Sequence, residues 1–417
     1  MNTENVLNIA DLRRLAKARL PKVIFEYLDG GAEDEVTLAR SRSVYDRLSL
    51  VPRLASGFSR PDMSVDLFGQ RLSVPFMVGP TGMNGIFWRG ADLALARSAE
   101  KVGAGFTLAM AANASIEEVG AESKGVKWFQ LYPWGDDALW RRMLERARTS
   151  GFSALVVTMD TLVNGNRERD RRNRFAHNVA LTPRTVMDGM LHPRWLLDVW
   201  LRGVPRFENL LETLGQTADV NEVAAFTRRA RRPDMSWDDL SRIRKMWSGP
   251  MLIKGVLSAD DVRNSMSIGV DGIIVSNHGG RQLDGAITTL QALPTIVEAA
   301  SGRLVVLADG GFRRGSDVVK ALALGAQAIV LGRAPLYGVA ASGQAGVQLA
   351  LQILQEETAR VMGLIGCGSV SDLTTDYLWA EPSWCGGPVL GADGLRPGPR
   401  KEVIWRASEP MVEDTEQ

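Results

Sequence analysis

The stretch GIIVSNHGGRQLDG (272–285) runs from apolar, β-branched residues into a histidine, a glycine pair and an arginine. A histidine titrating near neutrality is the natural proton acceptor at physiological pH. Asp160, which ends the apolar run ALVVTMD (154–160), has the charge to stabilise the imidazolium that His278 would become. Two further segments, ADGGFRR (308–314) and LGR (331–333), join glycines to arginines. Glycine lets backbone N–H groups approach an anion closely, and arginine binds phosphate bidentately. A phosphorylated ligand is therefore expected. Lys254 in PMLIKGV (250–256) adds a cation, and KWFQLYP (127–133) adds Gln130 and Tyr132.

These residues need a frame that brings them to one place. From about residue 74 the chain alternates short apolar runs with amphipathic stretches. The runs are VPFMVGP, GFTLAMA, KWFQLYP, ALVVTMD, PMLIKGV, GIIVSNH, LVVLADG and AIVLGR. Runs of this length suit strands buried on both faces. DLALARSAEKVG, ALWRRMLERARTSG, SADDVRNSMSIG and GSDVVKALALG read as helices that each end near glycine, with Ser258 and Ser316 as expected N-caps. Eight strand–helix alternations predict a closed (β/α)8 barrel, an α/β fold of the TIM type. Such barrels carry their chemistry at the C-terminal ends of the strands. Gln130, Tyr132, Thr158, Asp160, Lys254, Ser276, His278, Asp309, Arg313, Gly332 and Arg333 all fall there, with a helix cap as the lesser reading of Asp160 or Asp309 taken alone.

The expected organisation is an N-terminal helical cap (1–73), a barrel (74–367) interrupted after the fourth strand by a long insertion (161–236), and a weakly structured tail (368–417). The insertion carries the basic run RRARR (228–232), read as a solvated face in preference to a lipid contact. The 417 residues suffice for one large barrel, and a net charge of +1 gives no electrostatic case for nucleic acid. Cys367 and Cys385 do not make a disulfide framework, and His177, His192 and His278 form no ligand cluster, so no metal is expected. The N-terminus lacks a signal-like apolar core and no stretch is apolar enough to span a bilayer.

SNHGGRQLDG resembles the signature of the FMN-dependent α-hydroxy acid dehydrogenases and oxidases. The likeness extends through EYLDGGAEDE (26–35), GPTG (79–82), WFQLY (128–132), TMD (158–160), NRERD (166–170), IKG (253–255), DGGFRRGSD (309–317) and LGR (331–333). PTGMNG, VNGNRERDRRNRF and MLHPRW are similar to the mandelate-oxidising branch, and WDDLSRIRKMWSGPMLIKG equally to the membrane lactate-oxidising one. The resemblance implies FMN and assigns roles. His278 takes the substrate proton, supported by Asp160. Tyr27, Arg167 and Arg281 hold the substrate carboxylate, and Tyr132 bonds the hydroxyl. Lys254 stabilises the reduced flavin. Gly79, Pro80, Thr81, Gln130, Thr158, Ser276 and Asp309 contact the flavin and its ribityl chain. Gly311, Arg313, Gly332 and Arg333 hold the phosphate. One departure is Ala109, where the family usually places a flavin-bonding serine.

The same resemblance implies a homotetramer, and an electron acceptor that is a quinone or other respiratory carrier, with oxygen as the alternative. The segment VMDGMLHPRWLLDVWLRGVPRF (186–207) mixes Trp, Leu, Met and Phe with Arg and His, which suits a helix lying in a membrane interface. A peripheral place on the cytoplasmic side of the inner membrane is therefore expected, with the cytoplasm as the alternative. Gly79 and Gly82 are read as leaving room near the flavin, which with the motifs favours an aromatic hydroxy acid over lactate. Outside the family, the main rival is a phosphate-binding barrel isomerase or aldolase that uses Lys254 as a Schiff-base amine.

Overall fold

The computed structural model describes residues 5–175, 182–200, 203, 205–214 and 220–381. His177, Cys385 and the acidic end of the tail lie outside them. Eight parallel strands close a barrel: β1 (Phe76–Val78), β2 (Gly105–Ala109), β3 (Lys127–Leu131), β4 (Ala154–Thr158), β5 (Met251–Val256), β6 (Gly272–Val275), β7 (Val305–Asp309) and β8 (Ala328–Leu331). β8 returns to β1 with Val330 opposite Met77. The helices between them include Ala91–Val102, Asp137–Thr149, Ala259–Ser267 and Gly315–Ala323.

Strand side chains alternate with a period of two, and this alone selects what enters the barrel. Met77, Trp128, Ala154, Val156, Leu252, Ile274, Val305, Leu307, Ala328 and Val330 fill the interior as one apolar cluster. Two residues further along the same rows stand Gly79, Gln130, Thr158, Lys254, Ser276, Asp309 and Gly332. The alternation that packs the core thus delivers the polar residues to its C-terminal mouth. The opposite mouth is plugged by an antiparallel hairpin, Val65–Leu67 against Gln70–Leu72. Its turn residues Phe68 and Gly69 have φ of 56° and 74°, and Phe68 rests 5.8 Å from the Trp128 ring.

Ser258 caps its helix as expected, accepting the Asp261 N–H at 3.1 Å. Ser316 does not, because the helix begins one residue earlier, at Gly315. Asp317 instead accepts the N–H groups of Arg313 and Arg314, and Glu357 accepts that of Gly315. A carboxylate matches the positive end of the helix better than a hydroxyl does.

The N-terminal segment supplies helices Ile9–Arg19, Lys22–Asp29 and Val36–Ser43. Ile9, Leu12 and Ala16 form one buried face against the last helix, Arg333–Leu364. Asp284, from the loop after β6, accepts the N–H groups of Val36 and Thr37, tying this segment to the catalytic loop. The reading of the tail as weakly structured is corrected for residues 369–381, where strand Leu378–Ala380 pairs antiparallel with Leu48–Leu50, while 382–417 lie outside the described residues. The bonding partner lies more than 300 residues away, so no local pattern announces it.

Candidate active site

Asp160 lies two residues beyond β4 and reaches the barrel axis because β5 breaks register between Lys254 and Val256. Gly255 sits at this bulge with φ of 109°, and a Cβ there would lie 2.7 Å from the Asp160 Cβ. The bulge therefore requires glycine. Asp160 Oδ1 then bonds His278 Nδ1 at 2.8 Å, and its Oδ2 lies 3.6 Å from Lys254 Nζ. Lys254 also reaches Asp309 Oδ2 at 3.2 Å and donates to Ser276 Oγ at 2.8 Å. Ser276 Oγ accepts in addition the His278 N–H at 3.0 Å. His278 itself has φ of 55°, a left-handed conformation that non-glycine residues rarely adopt and that clusters at functional sites.

The electrostatics follow from this geometry. Burial pushes the Asp160 carboxyl up, but the charges of His278 and Lys254 outweigh it and hold it at about 2. Burial works against the Lys254 ammonium too, yet Asp160 and Asp309 keep it above the ordinary lysine range. Lys254 is thus a permanent cation rather than a neutral amine, which disfavours the Schiff-base reading. His278 is lowered by burial, and by Lys254 and Arg167, against the pull of Asp160. It is therefore a neutral imidazole at pH 7, with Nδ1 committed to Asp160.

The opposite wall is built from loops. Tyr27 comes from helix Lys22–Asp29, and its ring lies 4.8 Å from that of Phe175. Arg281 stacks over Tyr27 at 5.0 Å and donates through Nη1 to the Tyr27 and Gly30 carbonyls. Burial, then Arg167 and Arg333, depress Arg281 to about 9, which marks a guanidinium that gains most from a nearby anion. Among the described residues Arg167 pairs with Asp170, at 3.9 Å, and its buried Nε has no hydrogen-bond partner. Tyr132 stacks on Trp134, the ring centroids 4.6 Å apart at 9°. Tyr27, Tyr132, Trp134, Arg167 and Arg281 line one pocket with Gly79, Pro80, Thr81, Lys254, His278, Asp309, Gly311, Arg313, Gly332 and Arg333.

At the phosphate end, Gly311 has φ of 83°, and a Cβ there would fall 2.0 Å from the Ser41 carbonyl oxygen. A Cβ at Gly332 would meet nothing, so the start of the helix Arg333–Leu364 is open to a ligand. Arg313 lies over the Tyr337 ring at 5.0 Å, and Tyr337 donates to Asp29 at 2.6 Å. Arg333 donates to the carbonyls of Leu28, Gly279 and Gly30, leaving two of its five N–H groups for an anion.

Sequence reasoning missed several residues. Gln282 bonds the Asp160 and Val163 carbonyls and so fastens the loop after β4 to the loop after β6. Trp134, Asn164 and Phe207 line the pocket. The run RRARR is not uniformly a solvated face, for Arg231 turns into the pocket while Arg228 and Arg229 are exposed. Helix Val220–Arg229 ends there, and the Gly135 N–H holds the Ala230 carbonyl at 2.7 Å, which directs the next side chain inward. Gly79 and Gly82 are also reassigned. A Cβ at Gly79 would press on Val330 Cγ1 at 2.7 Å, and one at Gly82 on the Ala111 carbonyl at 2.9 Å, so both serve close packing of neighbouring strand ends.

FMN can be tested against atoms that the protein leaves without partners. Gln130 Nε2 and Oε1, Thr158 Oγ1 and Asp309 Oδ1 are all buried and lack hydrogen bonds. Buried polar groups are ordinarily satisfied, so four such atoms at one mouth call for a flat ligand with alternating donors and acceptors. The pyrimidine edge and ribityl hydroxyls of FMN have that pattern, and the Gly311–Arg313 and Gly332–Arg333 segments fit its phosphate. The residues fit the cofactor.

Comparison with known proteins agrees. A family model described as FMN-dependent dehydrogenase matches residues 16–380. The chain is 43% identical to (S)-mandelate dehydrogenase of Pseudomonas putida over 91% of its length and 95% of that protein's. It is 42% identical to an L-lactate dehydrogenase of Alcaligenes faecalis over 89% of its length and 98% of that protein's. Among solved structures, a monotopic membrane protein (S)-mandelate dehydrogenase superposes with a TM-score of 0.87 at 42% identity, covering 91% of this chain and all of that one. A mandelate oxidase follows at 0.77 and 35% identity, covering 90% and 99%. On this site, this barrel and these matches, the chain belongs to the FMN-dependent dehydrogenase family.

Proposed function

We propose that this FMN-dependent 2-hydroxy acid dehydrogenase oxidises an aromatic (S)-2-hydroxy acid of the mandelate kind to the 2-oxo acid, with lactate as the second candidate. Bound FMN accepts the two electrons released from the substrate. The observation that carries the reading is the chain Lys254–Asp160–His278, which leaves a neutral imidazole nitrogen facing a pocket whose other wall is cationic. Arg281 and Arg167, with Tyr27, hold the carboxylate there and so present C2 and its hydroxyl to His278 and Tyr132. His278 Nε2 receives the proton released, and Asp160 stabilises the resulting imidazolium. Lys254 would hold the bound cofactor from the pocket floor and supply it a fixed positive charge. The stacked Tyr132–Trp134 pair offers a flat aromatic face, which supports the aromatic substrate over lactate.

The relatives named as dehydrogenases support a quinone or other respiratory acceptor over oxygen. Membrane contact at the cytoplasmic face is part of the same proposal, and so is a homotetramer, which sedimentation would read. Among the described residues no helix is long and apolar enough to cross a membrane. Val186, Met187, Met190, Leu191 and Leu197 are nonetheless exposed. Trp195, Val199 and Phe207 are buried, and Trp195 donates to the Ile86 carbonyl. Within 186–199, Trp195 and Val199 thus anchor the stretch while the five exposed apolar side chains leave it bare, as an interfacial helix needs. Replacing Met187, Met190 and Leu191 by Gln is expected to release the protein from membrane fractions without loss of FMN. The test of the reaction is anaerobic addition of (S)-mandelate and L-lactate to the yellow holoenzyme. Bleaching by mandelate at lower concentration, followed by fast reoxidation with a quinone analogue and slow reoxidation by air, is expected. Bleaching by neither acid would refute the substrate assignment.

A further inference from the structure

The insertion adds to the pocket a cation that the chemistry described so far does not use. Arg231 donates through Nε to the Thr227 carbonyl at 3.2 Å, which orients its side chain inward. Its Nη1 is buried and has no hydrogen-bond partner. Burial depresses its pKa, and Arg167 adds to that while Tyr132 opposes it. Arg167 is in the same condition, with a buried Nε left unpaired. Around this wall stand three guanidinium groups, Arg167, Arg231 and Arg281. Among the described residues Asp170 is the carboxylate that acts on both Arg167 and Arg281. Arg232, beside Arg231, is by contrast paired with Asp234 at 2.9 Å. A buried charged donor without a partner is costly, and it is tolerated where a ligand supplies the acceptor.

One substrate carboxylate neutralises one of the surplus charges and leaves another. We infer that Arg231 receives a second carboxylate at the end of the substrate remote from the 2-hydroxyl, so that the enzyme prefers 2-hydroxy acids with two acidic groups. This rests on the assignment of the pocket to 2-hydroxy acid oxidation and narrows the class. Arg281 and Arg167 take the carboxylate next to C2. The Tyr132–Trp134 face accommodates the body of the molecule. Arg231, which lines the same pocket and interacts electrostatically with Arg167 and Tyr132, takes the remote acid by a charge-assisted pair.

The experiment is stopped-flow anaerobic flavin reduction with three probes: (S)-mandelate, (S)-4-carboxymandelate and the ring methyl ester of the latter. The ester removes the second charge while adding one methyl group. For the holoenzyme we expect the reduction rate constant divided by Kd to be at least tenfold higher for the diacid than for the ester. Arg231→Met should abolish that preference and Arg231→Lys should retain part of it, both with the FMN content and visible spectrum of the parent. Equal values for diacid and ester in the unaltered enzyme would overturn the inference while mandelate turnover left the reaction assignment standing. A preference that survives Arg231→Met would also overturn it. Failure of all three acids to reduce the flavin would remove the aromatic substrate assignment and this inference together. The comparison of diacid with ester needs no variant, so a misfolded Arg231→Met protein does not leave the question open.

Discussion

The two sides of the pocket are built on opposite terms. The floor stands on strand ends: Lys254, Asp160, Asp309, Ser276 and His278 hold one another within 3.6 Å, and the buried atoms left unbonded there, among them Asp309 Oδ1, are ones the cofactor would meet. The wall stands on loops and the insertion, and its guanidinium groups Arg167 and Arg231 have buried nitrogens with no partner. The floor is preorganised to hold a proton acceptor in one state, so it spends no reorganisation at the moment of reaction. The wall is electrostatically incomplete, and an anion completes it. The difference separates chemistry, which the barrel fixes, from recognition, which the loops can vary without disturbing the barrel.

The largest expected effect comes from breaking the floor. His278→Ala should lower the rate of flavin reduction by about 10²–10⁴-fold, the range for loss of a positioned general base, with FMN retained. Stopped-flow reduction of the purified variant reads this directly, and a loss below tenfold would mean that another group accepts the proton. Breaking the wall should act on binding first. Arg281→Met removes a buried charged hydrogen-bond partner worth roughly 1.5–3 kcal/mol, so kcat/KM should fall about 10- to 150-fold, mostly through KM. Were both variants to lower kcat alone, the distinction between floor and wall would not hold.

A pH profile sharpens the same comparison. Only the neutral form of His278 accepts a proton, and burial sets its pKa below the ordinary value of about 6.5. Protonation inactivates, so kcat/KM should be flat through neutrality and fall as pH drops through that lowered pKa. Asp160→Asn removes the one group that raises His278, leaving Lys254 and Arg167, which lower it. The inflection should therefore move to still lower pH, while the plateau also drops because the imidazolium loses its counter-charge. An inflection that moved upward would overturn the assignment of the profile to His278.

The unequal construction also explains what could be read in advance. Strand ends obey a two-residue period, so Lys254, Ser276, Asp309 and Thr158 follow from the apolar runs that precede them. The eight runs suffice for the barrel itself. Arg231 does not follow from any such pattern. Its run has the composition of a solvated face, and it takes the bonds from Gly135 to Ala230 and from Arg231 to the Thr227 carbonyl to turn one arginine of four inward. The pairing of Leu48–Leu50 with Leu378–Ala380 likewise depends on chain closure at long range. Gly79 and Gly82 were legible as special positions, but not for the reason expected. A Cβ at either would strike neighbouring strand ends rather than narrow the pocket. Gly79→Ala should therefore cost roughly 1–3 kcal/mol by overpacking, read in the thermal midpoint of the holoenzyme. Gly79→Ala with Val330→Ala should recover part of it, since Val330 Cγ1 is the nearest obstacle at 2.7 Å. No recovery would place the constraint on the ligand side.

The smallest effect concerns a strand end of the floor that carries no polar side chain. Ala109 ends β2 in the row of inward-facing residues, at the position where the family resemblance implies a serine hydroxyl against the flavin. Its neighbours on that rim, Gln130 and Thr158, still offer buried donors and acceptors that no protein atom uses. The floor therefore retains most of its capacity to bond the cofactor, and the lost hydroxyl is one neutral hydrogen bond among several, worth about 1 kcal/mol net. Ala109→Ser should tighten FMN binding by roughly fivefold or shift the flavin midpoint potential, while leaving the substrate preferences set by Arg281 and Arg231 unchanged. Fluorescence titration of apoprotein with FMN and a dye-coupled redox titration measure the two quantities. A change in neither would mean that the β2 strand end does not touch the cofactor, and that the floor is made by β3 to β7 alone.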